Sequence, residues 1–233
     1  MNDLFGKALL DYHHAPGEQQ LLTWTSLTEE DPVPLSYFFR AYKKMPAIEQ
    51  KALQLSYGKV LDIGCGSGSH SLYLQNEKNL TVTAIDSSAG AIEVAKARGV
   101  KNCVHRSIMN YTTEGFDTLL LMMNGLGVAH DFHGVIPLLN HLKTLLQPKG
   151  QILLDSSDLI YLFDEEEQDD WRLADPYYGE VDYGIRFNDE IQEFPWLYLD
   201  YDHLNQAAEI VGFRCEKLLD GPNYDYLACL KLA

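Results

Sequence analysis

The sequence contains few basic residues. Of its 233 residues, 18 are Lys or Arg and 34 are Asp or Glu, so the formal net charge is −16 at pH 7 with neutral histidines. The densest basic pair is Lys43-Lys44, and no basic stripe surrounds it. Because a surface this negative repels phosphate backbones and anionic lipids, we expect neither a nucleic acid nor a membrane surface as a partner.

Cysteine is also scarce. The chain has four cysteines, far apart and without a Cys-x-x-Cys pair: Cys65, Cys103, Cys215 and Cys229. No histidine stands near them at the spacing of zinc ligands. We therefore expect reduced thiols in the core and no metal site.

Long hydrophobic runs are missing as well. The longest, residues 118–129, is interrupted by Asn124 and two glycines and is too short to cross a bilayer. Residues 1–7 lack the charged-then-apolar pattern of a secretion signal, so we expect a cytoplasmic protein. With 46% hydrophobic residues, a chain of this length buries a core without disulfides or structural metal.

What the chain does have is an alternation of short apolar runs and helical patterns between residues 58 and 155. This alternation is typical of a parallel sheet whose strands are joined by crossover helices. The predicted strands are residues 59–63, 80–85, 102–105, 117–123 and 151–155, and the helices between them include residues 88–98 and 134–147.

The segment before this core predicts helix throughout residues 1–57. Pro46 sets a break in it, because proline interrupts a helix but is tolerated at its first turn. We therefore expect a helical N-terminal cap over residues 1–57 and a second domain over residues 58–233. Residues 156–199, acidic and aromatic, are expected to form an insertion near the substrate pocket of that domain.

The end of the chain predicts one helix and a hairpin. Asp202 is expected to cap a helix that runs to Val211. Residues 213–219 and 226–232 then form two apolar runs on either side of an Asp-Gly-Pro-Asn turn. Since these residue types favour tight turns, we expect a hairpin at the edge of the sheet.

A glycine-rich loop follows the first predicted strand. The sequence is Gly64-Cys65-Gly66-Ser67-Gly68, and a helix is expected from about His70. A bare backbone at a helix N-terminus suits a ligand with an anionic group. A dinucleotide-binding loop would carry another glycine where Ser69 stands, which disfavours a nicotinamide-dependent oxidoreductase. Asp86 comes 22 residues after Gly64, where a carboxylate accepts the hydroxyls of a ribose.

Four motifs in this order resemble those of the class I S-adenosylmethionine-dependent methyltransferases. They are VLDIGCGSG at residues 60–68, IDSS at 85–88, FD at 116–117 and LQPKGQIL at 146–153. The resemblance covers about residues 55–155, and the predicted C-terminal helix and hairpin extend it. It implies an α/β fold: a doubly wound, Rossmann-like, seven-stranded sheet that is mostly parallel, with its last strand antiparallel.

The resemblance also implies that S-adenosylmethionine is the cofactor. The three glycines of the loop would contact its methionine part, Asp62 would hold the ammonium group and Asp86 the ribose. Ser87 and Ser107 depart from the family pattern, which has an apolar residue and often an aspartate there. The expected cofactor-binding residues are Asp62, Gly64, Gly66, Gly68, Asp86, Ser87, Ser107, Ile108 and Met123.

Methyl transfer is an in-line displacement in which the protein mainly aligns the reactants. A hydroxyl or amine acceptor also has to lose a proton. The loop after the fourth predicted strand offers Asn124, His130 and Asp131 as catalytic candidates. The alternative is that His130 lies on the surface and that Asp131 caps a helix. His130 and His133 alone, without a third ligand, predict no metal.

The acceptor is expected to be a small molecule, because the loop after the fourth strand is similar to that of small-molecule methyltransferases. Candidate substrate residues are Tyr12 and Tyr37 in the cap and Asp158 and Tyr161 after the fifth strand. A homodimer is one option for the assembly. The alternative function is a non-catalytic S-adenosylmethionine-binding protein, either a sensor or a partner subunit.

Overall fold

The computed structural model describes residues 3–233. The helices are α1 (Leu4–His14), α2 (Ala47–Leu55), α3 (Ser69–Asn76), α4 (Ala89–Ala97), α5 (Val135–Leu145), α6 (Gln168–Arg172) and α7 (Tyr201–Val211). The strands are β1 (Gln20–Thr25), β2 (Thr28–Pro34), β3 (Lys59–Ile63), β4 (Thr81–Asp86), β5 (Cys103–His105), β6 (Phe116–Leu121), β7 (Leu146–Ser157), β8 (Glu180–Phe187), β9 (Glu190–Leu197), β10 (Phe213–Asp220) and β11 (Asp225–Leu232). Short 3₁₀ turns lie at Leu35–Phe39, Tyr42–Lys44, Ile108–Asn110, Gly125–Ala129 and Leu159–Leu162.

A seven-stranded sheet forms the centre of the molecule, with the order β10-β11-β7-β6-β3-β4-β5. Neighbouring strands from β7 to β5 are parallel, and β11 is antiparallel to both β7 and β10. The C-terminal hairpin therefore inserts its second strand between its first strand and the rest of the sheet. The predicted fold class is confirmed.

Both faces of this sheet are covered. In β6, Leu120 packs with the cluster that includes α2, while Leu119 and Leu121 pack with the cluster formed by α5 and α7. Successive side chains of a strand point to opposite faces, so a strand covered on both sides has to be apolar at every position. This is why β6 appears in the sequence as a continuous apolar run.

A second sheet corrects the expectation for the N-terminal segment. Helix α1 is present, and α2 begins after Pro46 as predicted, but residues 20–34 form β1 and β2. The order of the second sheet is β2-β1-β8-β9. Thr23 of β1 pairs with Ile185 of β8, so the cap joins the start of the chain to residues 180–197. The prediction of helix throughout residues 1–57 is therefore wrong for these strands, and the domain boundary at residue 57 stays a prediction.

Helix α7 begins two residues earlier than the sequence suggested. Its N-cap is Asp200, whose Oδ1 accepts the His203 N–H at 3.0 Å, and not Asp202, which lies in the first turn. Gly212 ends the helix with a φ of +85°, the left-handed conformation in which glycine is favoured. The structure therefore corrects the predicted cap by two positions and confirms the helix end.

Residues 3–233 contain neither a membrane-spanning helix nor a cluster of metal ligands. No helix in this range has the length and apolar composition needed to cross a bilayer, and no group of three or more His, Cys, Asp or Glu side chains is arranged to hold a metal ion. The four cysteines are unbonded, and Cys65 and Cys229 are buried.

Candidate functional site

The glycine loop between β3 and α3 is held in left-handed backbone conformations. The φ angles of Gly64, Gly66 and Gly68 are +73°, +51° and +82°. A Cβ on Gly64 would have no atom within 4 Å, and one on Gly66 would meet only Phe5, at 4.0 Å. On Gly68 it would lie 2.8 Å from Val100 Cγ2. Gly64 and Gly66 therefore leave an open cradle, whereas Gly68 allows close packing inside the domain.

Asp86 lies at the end of β4, beside this cradle. Its Oδ2 accepts the Gly66 N–H and its Oδ1 accepts the Ser88 N–H, both at 2.9 Å. Burial raises the pKa of Asp86, the two backbone bonds lower it, and the charges of Asp3 and Asp62 raise it further. Among residues 3–233 no side chain donates a hydrogen bond to Asp86, and the residue is half-buried. A sugar with two hydroxyl donors fits this carboxylate.

Asp62 lies beneath the loop. Its exposed fraction is 1%, and its Oδ2 accepts the hydroxyl of Ser71 at 2.6 Å. Burial raises the pKa of Asp62, and His70 and Ser71 lower it in part. The structure thus gives Asp62 a role in joining the strand to α3, and its expected contact with an ammonium group stays a prediction.

The glycine loop is hydrogen-bonded to the N-terminal segment. The hydroxyls of Ser67 and Ser69 both donate to the Phe38 carbonyl. Arg98 Nη1 donates to the Ser67 carbonyl at 2.7 Å. In the sequence, Ser69 was noted only because a dinucleotide-binding loop would have a glycine at this position. Its part in this contact was missed, because the accepting carbonyl lies 31 residues away along the chain.

The positions expected to bind an adenine lie at the ends of β4 and β5. Ser87 and Ser107 are exposed there, and Ile108 is buried. The Ile108 carbonyl lies 2.8 Å from Nε2 of His141. Ser87 follows β4, the neighbour of β3, while Ser107 and Ile108 follow β5. Their contact with an adenine stays a prediction.

The loop after β6 has an unusual backbone. Met123 and Asn124 have φ angles of +63° and +57°, a region that costs energy for residues other than glycine and is common at functional sites. The Asn124 side chain donates to the Leu197 carbonyl at 3.1 Å and accepts the Ser156 hydroxyl at 2.8 Å. Asn124 therefore holds the loop against β7 and the end of β9. Met123, 37% exposed, extends from the same loop.

His130 and Asp131 lie farther along this loop. His130 is exposed, and its Nδ1 lies 3.3 Å from the Pro195 carbonyl. Asp131 is also exposed and accepts the Gly134 N–H at 2.8 Å. The alternative interpretation is right about the exposed His130, but Asp131 forms a turn before α5, whose N-cap is Gly134. Their expected catalytic roles stay predictions.

Asp155, at the carboxyl end of β7, is a site residue that the sequence analysis did not single out. Its Oδ1 accepts the Asn124 N–H at 3.0 Å. Burial raises the pKa of Asp155 to about 7, with a further rise from Glu49; the N–H groups of Asn124 and Gly125 and the charge of His70 oppose it. Asp155 is the last residue of the fifth predicted strand, so its place at the sheet edge was a usable signal.

A buried cluster of charges lies behind the site. Oε1 of Glu49 accepts a hydrogen bond from Nη2 of Arg40, and Oε2 of Glu49 lies 2.7 Å from Nε2 of His70. The side chains of Glu49, Arg40 and His70 are 4%, 5% and 10% exposed, respectively. Burial raises the pKa of Glu49, but His70 and Arg40 outweigh this effect and lower it. The cluster links the N-terminal segment, α2 and α3, and nothing in the local sequence connects its three members.

The two tyrosines proposed in the cap differ in their surroundings. Tyr37 is 38% exposed, and the Arg40 guanidinium lies 3.7 Å from the centre of its ring. Tyr12 packs against Phe39, with ring centres 4.7 Å apart. Tyr37 is thus the more open of the two, and the expected contact of either residue with a substrate stays a prediction.

The substrate candidates after β7 belong to a neighbouring region. Asp158 accepts the Ile160 N–H and the Tyr178 hydroxyl, at 2.9 and 2.7 Å, and it lines a cavity of about 460 Å³ that no glycine-loop residue lines. Tyr161 stacks on Tyr224 with ring centres 4.6 Å apart. These contacts are structural, and a substrate role for Asp158 and Tyr161 stays a prediction.

Known proteins resemble this chain in both sequence and structure. The model of a family described as "Methyltransferase domain" matches residues 60–150. A SAM-dependent methyltransferase from Bacteroides fragilis, crystallised with S-adenosyl-L-homocysteine, is 39% identical, and the alignment covers 99% of this chain and 95% of that one with a TM-score of 0.89.

Two further proteins are more distant. The Ubiquinone biosynthesis O-methyltransferase of Pasteurella multocida (strain Pm70) is 29% identical over 139 residues. The match covers 54% of this chain and 53% of that relative, so the chain spans about half of the relative's length. The CcbJ methyltransferase from Streptomyces caelestis is 14% identical, with a TM-score of 0.66 and 98% of each chain covered. At this identity the likeness concerns the fold alone.

Proposed function

Since the chain belongs to the S-adenosylmethionine-dependent methyltransferases, we propose that it transfers the methyl group to a nitrogen or an oxygen of a small molecule. When bound, S-adenosylmethionine supplies a methyl group already activated on a sulfonium. The residues described above fit this cofactor, because the cradle at Gly64 and Gly66 leaves room for its amino-acid part and Asp86 keeps accepting capacity for its ribose.

The observation that supports a small acceptor is the contact of the N-terminal segment and of β9 with loops at the carboxyl edge of the central sheet. On one side, Phe38 accepts hydrogen bonds from the glycine loop. On the other, Trp196 of β9 packs so closely on Gly127 that a Cβ there would lie 2.1 Å from Cε2 of the indole. The N-terminal segment and β9 thus contact the loops that follow β3 and β6 at the carboxyl edge of the central sheet. A macromolecular acceptor would have to displace these contacts, whereas a small molecule would not.

The name of the Pasteurella relative adds support for an oxygen acceptor, and the aligned region is about half of that protein. A screen of labelled methyl transfer separates the possibilities. We expect product with members of a pool of amines, carboxylates and phenols. Transfer confined to a protein or DNA arm of the same screen would overturn the proposal. A cytoplasmic location and a homodimer stay predictions from the sequence.

Replacing Asp86 with alanine should weaken cofactor binding. The variant loses charge-assisted hydrogen bonds to the ribose hydroxyls, each worth about 1.5–3 kcal/mol, so we expect the Kd for S-adenosylhomocysteine to rise by at least about tenfold. Calorimetric titration measures this. Unchanged affinity in a folded variant would show that the ribose is held elsewhere.

Gly64→Ala should also weaken cofactor binding, because its methyl group would enter the cradle. Gly99 provides a matched control, since it too has a positive φ (+102°) and a Cβ added there would have no atom within 4 Å. Both variants should lose about 1–2 kcal/mol of stability from the left-handed backbone, and only Gly64→Ala should lose affinity for S-adenosylhomocysteine. Equal affinities in the two variants would contradict the placement of the cradle.

A further inference from the structure

We propose that Asp155 binds a protonated amine of the acceptor and takes its proton, so that this enzyme is an amine N-methyltransferase. The inference rests on the proposed function and narrows its acceptor to one chemical class. It begins from the position of the carboxylate: Asp155 lies near the end of β7, beside β6, and the Asn124 N–H fixes its Oδ1. Because β7, β6 and β3 are parallel neighbours, Asp155 lies at the same sheet edge as the glycine loop.

Asp155 lacks a side-chain hydrogen-bond partner. The fully buried carboxylates each have one: Glu49 has Arg40 and His70, Asp62 has Ser71, and Asp200 has Tyr177 and His203. Among residues 3–233 no side chain donates a hydrogen bond to Asp155, which accepts only from backbone. A carboxylate that is largely removed from water and without a cation is costly unless a ligand supplies one. At this edge Asp86 is in the same position, and it faces the expected ribose.

Several ionisable groups interact with the charge of Asp155. These groups are Glu49 on α2, His70 on α3, Tyr37 on the turn before α2, Tyr198 after β9 and Tyr226 on β11. His70 and nearby Arg40 are both engaged by Glu49, so no free cation of the described chain balances Asp155.

The phenols complete the chemistry. Burial raises the pKa of Tyr37 and of Tyr198, and the charge of Asp155 raises both further. Both phenols therefore stay neutral, so neither of them balances the charge of Asp155. A neutral hydroxyl acceptor would leave the carboxylate without a counter-charge.

One proton moves from the acceptor to Asp155 before the methyl group is transferred. The ammonium group R–NH₃⁺ gives one proton to the Asp155 carboxylate, leaving R–NH₂ with a free lone pair and a neutral carboxylic acid. That lone pair forms the new N–C bond as the C–S bond of the methyl donor breaks, and the electron pair of the broken bond stays on the sulfur, which leaves as the neutral thioether of S-adenosylhomocysteine. The product leaves as R–NH₂–CH₃⁺, and the Asp155 proton passes to water. No oxidant or further reactant is needed.

The test uses binding as well as turnover. The probes are benzylamine, 2-phenylethylamine and glucosamine, each paired with the matching alcohol: benzyl alcohol, 2-phenylethanol and glucose. Calorimetry on the full chain loaded with S-adenosylhomocysteine should show at least one amine binding about tenfold more tightly at pH 8 than at pH 6, as expected if a carboxyl of pKa about 7 ionises in between. The alcohols should show no such change.

Variants then assign the effect. Asp155→Asn should bind S-adenosylhomocysteine like the wild type, lose the pH-dependent gain in amine affinity and transfer methyl to amines at least about 100-fold more slowly. Asp117→Asn is the matched control, because Asp117 is a half-buried carboxylate that accepts the Lys59 N–H at the opposite edge of the sheet. It should behave like the wild type.

The contrary outcomes are distinct. Amines that fail to bind, or that bind Asp155→Asn equally well, overturn the inference. Loss of S-adenosylhomocysteine binding in Asp155→Asn does so too, since Asp155 would then serve the cofactor. Transfer to the alcohols alone overturns the inference and leaves the proposed function intact, whereas transfer to no small molecule overturns the proposed function while the binding data still decide the role of Asp155.

Discussion

Asp155→Asn should raise the free energy of unfolding at pH 8 by about 1 to 4 kcal/mol. The pKa of this carboxyl rises from 3.8 to about 7 in the folded chain. A raised pKa contributes stability that is fully present below pH 3.8 and is lost as the pH rises to about 7, because in this interval the folded state binds the extra proton. Three units correspond to at most about 4 kcal/mol, and the partial exposure of the residue reduces that figure.

Urea unfolding at a series of pH values measures this gain. Asparagine keeps an oxygen that accepts the Asn124 N–H, so the variant removes the charge and little else. The difference between variant and wild type should vanish near pH 4, where Asp155 is protonated in the folded wild type. A variant that is less stable than the wild type at pH 8 would show that a partner already compensates the charge.

Glu49→Gln should have the opposite effect and lower the free energy of unfolding by about 3–5 kcal/mol. Glu49 is the shared acceptor of Arg40 and His70, and removal of one member of a buried charge network leaves the others uncompensated. Arg40 is especially sensitive, because its Nε is already buried without a hydrogen-bond partner. Denaturant midpoints at pH 7 measure the loss.

An exposed ion pair provides the comparison. Lys7 and Glu190 have side chains that are 48% and 45% exposed, and such pairs contribute at most about 1 kcal/mol. Glu190→Gln should therefore change the midpoint little. A loss in Glu49→Gln no larger than that in Glu190→Gln would contradict a structural role for the buried cluster.

The central sheet was predictable because its signals are local. The run before Gly64 predicts a strand, the glycines predict the turn, and the apolar run of β6 indicates a strand buried on both faces. The order of the motifs then indicates the cofactor. In each case the residues that determine the structure lie within a few positions of one another.

Other features depend on distant parts of the chain. β1 pairs with its neighbour β2 but also with the distant β8, where Thr23 lies opposite Ile185. Ser69 gains its partner from Phe38, and Arg40 meets His70 through Glu49. The importance of Asp155 lies in a partner it lacks, which no local pattern records.

The pairing of β1 with β8 has a consequence for how the chain is completed during synthesis. β1 is an inner strand of its sheet, and its neighbour β8 leaves the ribosome about 160 residues later. Until then β1 can pair only with β2, while β3 to β7 can already assemble. A shortened protein that begins after residue 34 would bare the edge of β8, and an unprotected strand edge invites self-association. Removal of the first 34 residues would therefore produce a protein prone to aggregate.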